Sequence, residues 1–155
     1  MKNARKLSIA ILLLLCVSAL YGSYHMITDP TGNSLGLPFY LLNGTILNSY
    51  LMAGWILLVV VGLFSMITLL SIFRKSAIYS ILIMLQGIII CIFIILQMVL
   101  LGENFAIQYV YLIAGAALIG LGFLQNQRKI VVDTERITRP RPEPKSHHHK
   151  HRKRK

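Results

Sequence analysis

Four long apolar stretches, separated by short polar or turn-forming segments, make up most of the chain. Each reaches the ~20 residues that an α-helix needs to cross the hydrocarbon core of a bilayer. The pattern predicts four membrane-spanning helices, and hence an all-α polytopic membrane bundle over residues 1–127. The predicted spans cover residues 7–26, 49–73, 76–101 and 105–124.

The connection after the first span reads DPTGNSLGLPF and differs in character from the other two, which are tight hairpins. Asp29 to Gly32 has the residues of a four-residue turn. Gly36 and Pro38 then introduce the apolar segment Leu37 to Leu42. The segment is too short to cross the bilayer, and its apolar side chains have to be shielded from water. We therefore expect a short helix that lies in the membrane interface or forms a lid over the bundle.

Composition and charge agree with the bilayer as the solvent. The chain is 55% hydrophobic and only 14% charged, against about 25% charged residues in soluble domains. No Lys or Arg occurs between Lys6 and Arg74, or between Lys75 and Arg128. Because basic residues near span ends are retained in the cytoplasm, we predict a multi-pass protein of the cytoplasmic (inner) membrane with both termini inside.

The N-terminus also has the features of a signal peptide. Lys2, Arg5 and Lys6 precede an apolar run, and Val17 to Ala19 resembles a cleavage site. The run continues beyond Ala19 to full spanning length, which favours an uncleaved helix. The first connection lies outside the cell on either interpretation.

Polar residues are scarce within the predicted spans, so each is a candidate for function. Gln86 and Gln97 are three turns apart on the third span and lie on nearly the same face, towards the bundle. Either they form interhelical hydrogen bonds or they line a small polar cavity. Small residues predict close helix contacts, within one chain or between copies, at Ser18, Gly22, Gly54, Gly62, Ala116 and Gly120.

At the outer face, His25, Asp29 and Glu103 could together form a protonatable or cation-binding site. The simpler interpretation is that polar residues end helices at headgroup level, with Asp29 serving its turn. Cys16 and Cys91 fall inside spans, form no C-x-x-C pair and are expected to pack as apolar residues. No metal, nucleotide or hydrolase motif occurs in the sequence, so no catalytic residue, metal or cofactor is predicted.

The C-terminal segment, residues 128–155, has a separate composition. Alternating prolines and the closing run KSHHHKHRKRK predict a disordered, basic cytoplasmic tail. Such a tail attracts anionic lipid headgroups. We predict no specific nucleic-acid partner; a membrane-protein partner or a second copy of the chain is an alternative for the bundle.

The loop pattern D-P-[ST]-G-x-x-L-G-x-P, with Gly54 and Trp55 near the start of the second span, resembles a group of small bacterial four-helix membrane proteins without an assigned activity. The resemblance covers Leu7 to Leu124, and it extends loosely to the DoxX-type proteins. It implies fold and compartment but no functional residues.

Three functions fit these features. An accessory, scaffold or interaction protein needs only packing faces and an exposed loop, and the sequence supports it best. A transporter or binder of a small ligand or ion would need a polar site, for which the glutamines and outer-face residues are candidates. An enzyme acting on a lipid or quinone has the least support.

Overall fold

The computed structural model describes residues 2–37, 40, 49–101 and 105–138. Within these residues, four helices are long and apolar enough to cross a membrane, as predicted. The chain is therefore an all-α four-helix bundle of membrane-spanning helices. Its helices are α1 (Lys2–Thr28), α2 (Tyr50–Ile56), α3 (Phe64–Phe73), α4 (Tyr79–Leu101) and α5 (Ala106–Thr138).

The second span is continuous but not uniform. A π-helical segment, Leu57–Leu63, joins α2 to α3. In a π-helix each N–H group reaches one residue further back than in an α-helix, and such segments are rare and often functional. Nothing in the apolar pattern of the sequence distinguishes these residues from their neighbours, and we did not predict them.

The bundle has two ends, which we name by what they carry. The basic end holds the start of α1, the turn at Arg74 and Lys75, and Arg128 in α5. The loop end holds the segment after Thr28 and the start of α2. At the basic end, α3 finishes with two bonds: Ser76 N–H donates to Ser71 C=O at 3.0 Å, and Lys75 N–H donates to Ile72 C=O at 3.2 Å. These bonds form a Schellman motif, with Lys75 in the left-handed region at φ 52°.

The last helix is longer than its apolar stretch. It continues beyond the predicted end of the span at Leu124 to Thr138, so residues 128–138, which composition placed in the disordered tail, are helical. The segment contains four good helix formers, Arg128, Lys129, Glu135 and Arg136, and no proline; the first proline after it is Pro140. Residues 139–155, and with them the predicted disorder of the remaining tail, lie outside the described residues.

Close helix contacts depend on glycine. A Cβ on Gly54 would lie 2.8 Å from Met26 Cβ, so α1 and α2 are in tight contact there, as predicted. In the α4–α5 hairpin the contact residues are different from those expected. A Cβ on Gly87 would lie 2.6 Å from the Gly115 carbonyl oxygen, whereas one on Gly120 would meet nothing within 4 Å. Ala116 and Gly120 are exposed within the chain.

The closest packing lies towards the basic end. Four large aliphatic side chains, one from each span, are completely buried there: Leu12, Ile72, Ile83 and Leu118. Side-chain hydrogen bonds close this end between helices: Gln125 Nε2 donates to Ser8 Oγ at 3.0 Å, and Arg5 donates to the Ile72 carbonyl. Arg5 thereby joins the start of α1 to the end of α3, at a carbonyl that also accepts the Lys75 N–H.

Candidate functional site

A cavity of about 200 Å³ lies between the spans in the loop-end half of the bundle. Its walls come from α1, α2, the π segment, α4 and α5, so residues from every span contribute. The lining side chains are mostly apolar, and none carries a charge. They are Leu15, Ser18, Ala19, Gly22, Met26, Ala53, Leu57, Val61, Ile90, Phe93, Ile94, Gln97, Ile107, Gln108 and Tyr111.

Two features of the sequence leave room for the cavity. On α1, the small residues Ser18, Ala19 and Gly22 face it, and Ser18 donates its hydroxyl to the Leu14 carbonyl of its own helix at 2.8 Å. On the second span, the π segment contributes Leu57 and Val61 to the wall. Small side chains on one wall and an irregular helix on the other leave the space only partly filled.

The two glutamines of α4 have different surroundings. Gln97 is half-buried and lines the cavity, as one of the two interpretations of the sequence predicts. Gln86 is completely buried, but neither its Nε2 nor its Oε1 has a hydrogen-bond partner within the described part of the chain. Among these residues Gln86 therefore makes none of the interhelical hydrogen bonds that the other interpretation expects. Its amide lies one helical turn from Ile90, at the inner end of the cavity.

Gln108 was not among the predicted candidates, although its side chain lines the cavity and is hydrogen-bonded. It is 3% exposed. Its Oε1 accepts the Phe105 backbone N–H at 2.9 Å, which satisfies one of the free N–H groups at the start of α5. The sequence did contain a signal for this residue, a Gln in the first turn of a predicted helix. A Gln at that position is, however, equally explained by capping of the helix N-terminus.

The outer-face candidates are only partly described. His25 is half-buried and packs edge-on against Tyr21, with ring centroids 4.5 Å apart. Asp29 belongs to the turn, where Gly32 N–H donates to its carbonyl at 3.1 Å, as predicted. Glu103 lies outside the described residues, so the proposed cluster of His25, Asp29 and Glu103 stays a prediction. Neither His25 nor Asp29 lines the cavity.

The Asp29 carboxylate serves its own loop. It accepts hydrogen bonds from the Thr31 hydroxyl and from the Ser34 backbone N–H, the latter at 2.8 Å. These two bonds, in that order of importance, lower the pKa of Asp29 from its ordinary value. The following segment is described only in part: Leu37 is half-buried and Tyr40 is exposed. The predicted lid or interfacial helix over Leu37 to Leu42 otherwise lies outside the described residues.

Both cysteines are free thiols within the bundle. Cys16 is buried with its Sγ 3.7 Å from the Gly62 carbonyl oxygen, and Cys91 lies 3.9 Å from the carbonyl of Leu112. Each contacts a neighbouring helix, as expected for packing residues.

Comparison of the chain with protein-family models, curated proteins and solved structures finds no match. The resemblance to small bacterial four-helix proteins and to the DoxX type therefore stays a prediction.

Proposed function

We propose that this integral membrane protein binds a small apolar molecule of the membrane in the cavity of its loop-end half. The observation that supports the proposal is the contrast in packing: the cavity measures about 200 Å³, in a bundle that buries other core side chains completely. An apolar cavity of about 150 Å³ is enough to bind benzene. A binding role of this kind needs no catalytic group.

The test is direct observation of a bound probe. Wild-type protein in lipid nanodiscs is titrated with 4-fluorotoluene and followed by fluorine NMR, with protein-free nanodiscs as the background. A Ala53→Phe variant fills the cavity from α2 and should lose the protein-bound signal. Ala116→Phe is the matched control, because Ala116 is exposed on α5. Absence of a bound signal in the wild type would contradict the proposal.

A second candidate is an accessory or scaffold role through helix–helix contact with another membrane protein or a second copy. Its support is the face of α5 that carries Ala116 and Gly120, which are four residues apart and exposed. Small residues at this spacing allow close approach of helices in membranes. Gly120→Leu should abolish a stoichiometric complex in mild detergent, whereas Ala10→Leu on the exposed face of α1 should not.

Orientation and compartment are proposed from charge. Lys and Arg concentrate at one end of the bundle, which favours a cytoplasmic position for that end in the inner membrane. The polybasic tail then faces anionic headgroups of the cytoplasmic leaflet. Reporter fusions after residue 43 and after residue 128 should report the outside and the inside respectively; a cytoplasmic signal from the first position would contradict this orientation.

A further inference from the structure

The amide and phenol groups of the cavity lie together near the loop end, whereas the Ser18 hydroxyl, further from that end, already donates to its own helix. At 1.5 Å per residue, Gln97 lies about 6 Å before the end of α4, and Gln108 and Tyr111 lie about 3 Å and 8 Å after the start of α5. The opposite end of the cavity, near the middle of the spans, is formed by Leu15, Val61 and Ile90. The cavity is therefore apolar at the membrane centre and polar towards the interface.

Gln108 provides a fixed hydrogen-bond donor. Its Oε1 is engaged by the Phe105 N–H, which orients the amide and leaves Nε2 directed away from that bond. Within the described residues, Nε2 makes no hydrogen bond, although the side chain is 97% buried, that is, 3% exposed. Nε2 is not among the described atoms that are both fully buried and without a partner, so it keeps surface that a ligand oxygen can reach. A ligand oxygen that accepts this N–H group would pair a donor that the described residues leave unpaired.

The lining excludes a charged head group. Among the residues that the structure describes, no Lys, Arg, His, Asp or Glu side chain faces the cavity. A phosphate or carboxylate held there would lose its hydration without gaining a counterion, which costs several kcal/mol. A hydroxyl or carbonyl oxygen needs only the amide and phenol donors that Gln97, Gln108 and Tyr111 supply.

We infer that the cavity selects an uncharged lipophile of about one substituted ring, whose carbonyl or hydroxyl oxygen accepts a hydrogen bond from Gln108 while its apolar body points to the membrane centre. The inference rests on the proposed function and adds the chemistry of the ligand. The size of the ligand follows from the cavity volume of about 200 Å³, which is somewhat larger than the cavity of about 150 Å³ that holds benzene.

The experiment compares three probes of similar shape in nanodiscs by fluorine NMR. They are 4-fluoroacetophenone, which has the acceptor oxygen, 4-fluorocumene, which lacks it, and 4-fluorobenzoate, which is charged. After correction for partition into protein-free nanodiscs, the ketone should bind about three- to tenfold more tightly than the hydrocarbon, the effect of one neutral hydrogen bond. The benzoate should not bind detectably.

Two variants test the assignment. At a pH at which the new carboxyl group is ionised, Gln108→Glu keeps an oxygen that accepts the Phe105 N–H but has no donor, so it should remove the preference for the ketone. Gln97→Met keeps a similar side-chain volume and breaks no hydrogen bond within the described chain. It should reduce the preference for the ketone, and it tests the inference if Gln108→Glu does not fold. Gln127→Met, at an exposed position of α5, is the control and should leave the preference unchanged.

The outcomes separate the two proposals. Equal binding of ketone and hydrocarbon, or a preference that survives both substitutions, would overturn the inference and leave the binding function standing. Benzoate binding as tight as that of the ketone would also overturn the inference. Failure of all three probes to bind would overturn both.

Discussion

The two halves of this bundle are built from the same helices but packed differently. Towards the basic end, large aliphatic side chains are fully buried and hydrogen bonds join the spans. In the loop-end half, small residues and a π segment border a cavity of about 200 Å³. The comparison indicates that large aliphatic side chains hold one half of the bundle together, whereas the other half is packed less completely.

Large-to-small substitutions should separate the two halves most clearly. Ile83 is completely buried, and Ile83→Ala should lower the free energy of unfolding by about 2–5 kcal/mol through lost packing. Leu57 is half-buried and already borders the cavity, so Leu57→Ala should cost less than half as much. Reversible unfolding in mixed micelles measures both; equal costs would contradict the difference in packing.

The α4–α5 hairpin provides the next test. A side chain at Gly87 would meet the Gly115 carbonyl at 2.6 Å, and backbone cannot yield as a flexible side chain can. Gly87→Ala should therefore destabilise the bundle by about 1–3 kcal/mol. Gly120→Ala is the matched control on the same hairpin, with open space around its Cβ. Its unfolding midpoint in the same micelles should remain within about 0.5 kcal/mol of the wild type.

Gln86 should have an effect of opposite sign. Both polar atoms of its buried amide lack a partner among the described residues, so Gln86→Leu removes an unsatisfied group at similar volume. We expect stabilisation of about 1 kcal/mol in the absence of added ligand. The same unfolding assay reports it. A destabilised variant would show that the amide has a partner in the membrane, such as a ligand reaching beyond Ile90.

The smallest effect concerns pH at the loop end. Because the pKa of Asp29 is lowered in the folded protein, its carboxylate stabilises the loop above the unfolded pKa, ~3.9, and the contribution is lost as the pH falls through the lower folded value. The amide resonance of Ser34, which donates to Asp29, should titrate with a midpoint below that of ordinary Asp. Asp29→Asn should abolish the titration; a midpoint at the ordinary value would contradict the assignment.

The sequence predicted the spans and hairpins because a bilayer imposes length and apolarity on every helix that crosses it. Cavities are harder to predict, because they form where the side chains of facing helices are together too small to fill the space between the helices. Gln97 was recognised as a candidate for a cavity, but Gln108 was not, because its first-turn position also fits capping. Glycine contacts were predicted at Gly54 and missed at Gly87, since the apolar pattern does not show which glycine faces another helix.

The hydrogen bond between Ser8 and Gln125 has a consequence for biogenesis. The partners are 117 residues apart, so at ~5–20 residues per second Ser8 is synthesised several seconds before Gln125. Each of the two side chains also has a partner in its own helix: Ser8 donates to the Ala4 carbonyl at 3.0 Å, and Gln125 Nε2 donates to the Leu121 carbonyl at 3.1 Å. The first helix can therefore enter the lipid with the Ser8 hydroxyl already hydrogen-bonded. The bond between α1 and α5 at the basic end forms only after the last helix has been synthesised.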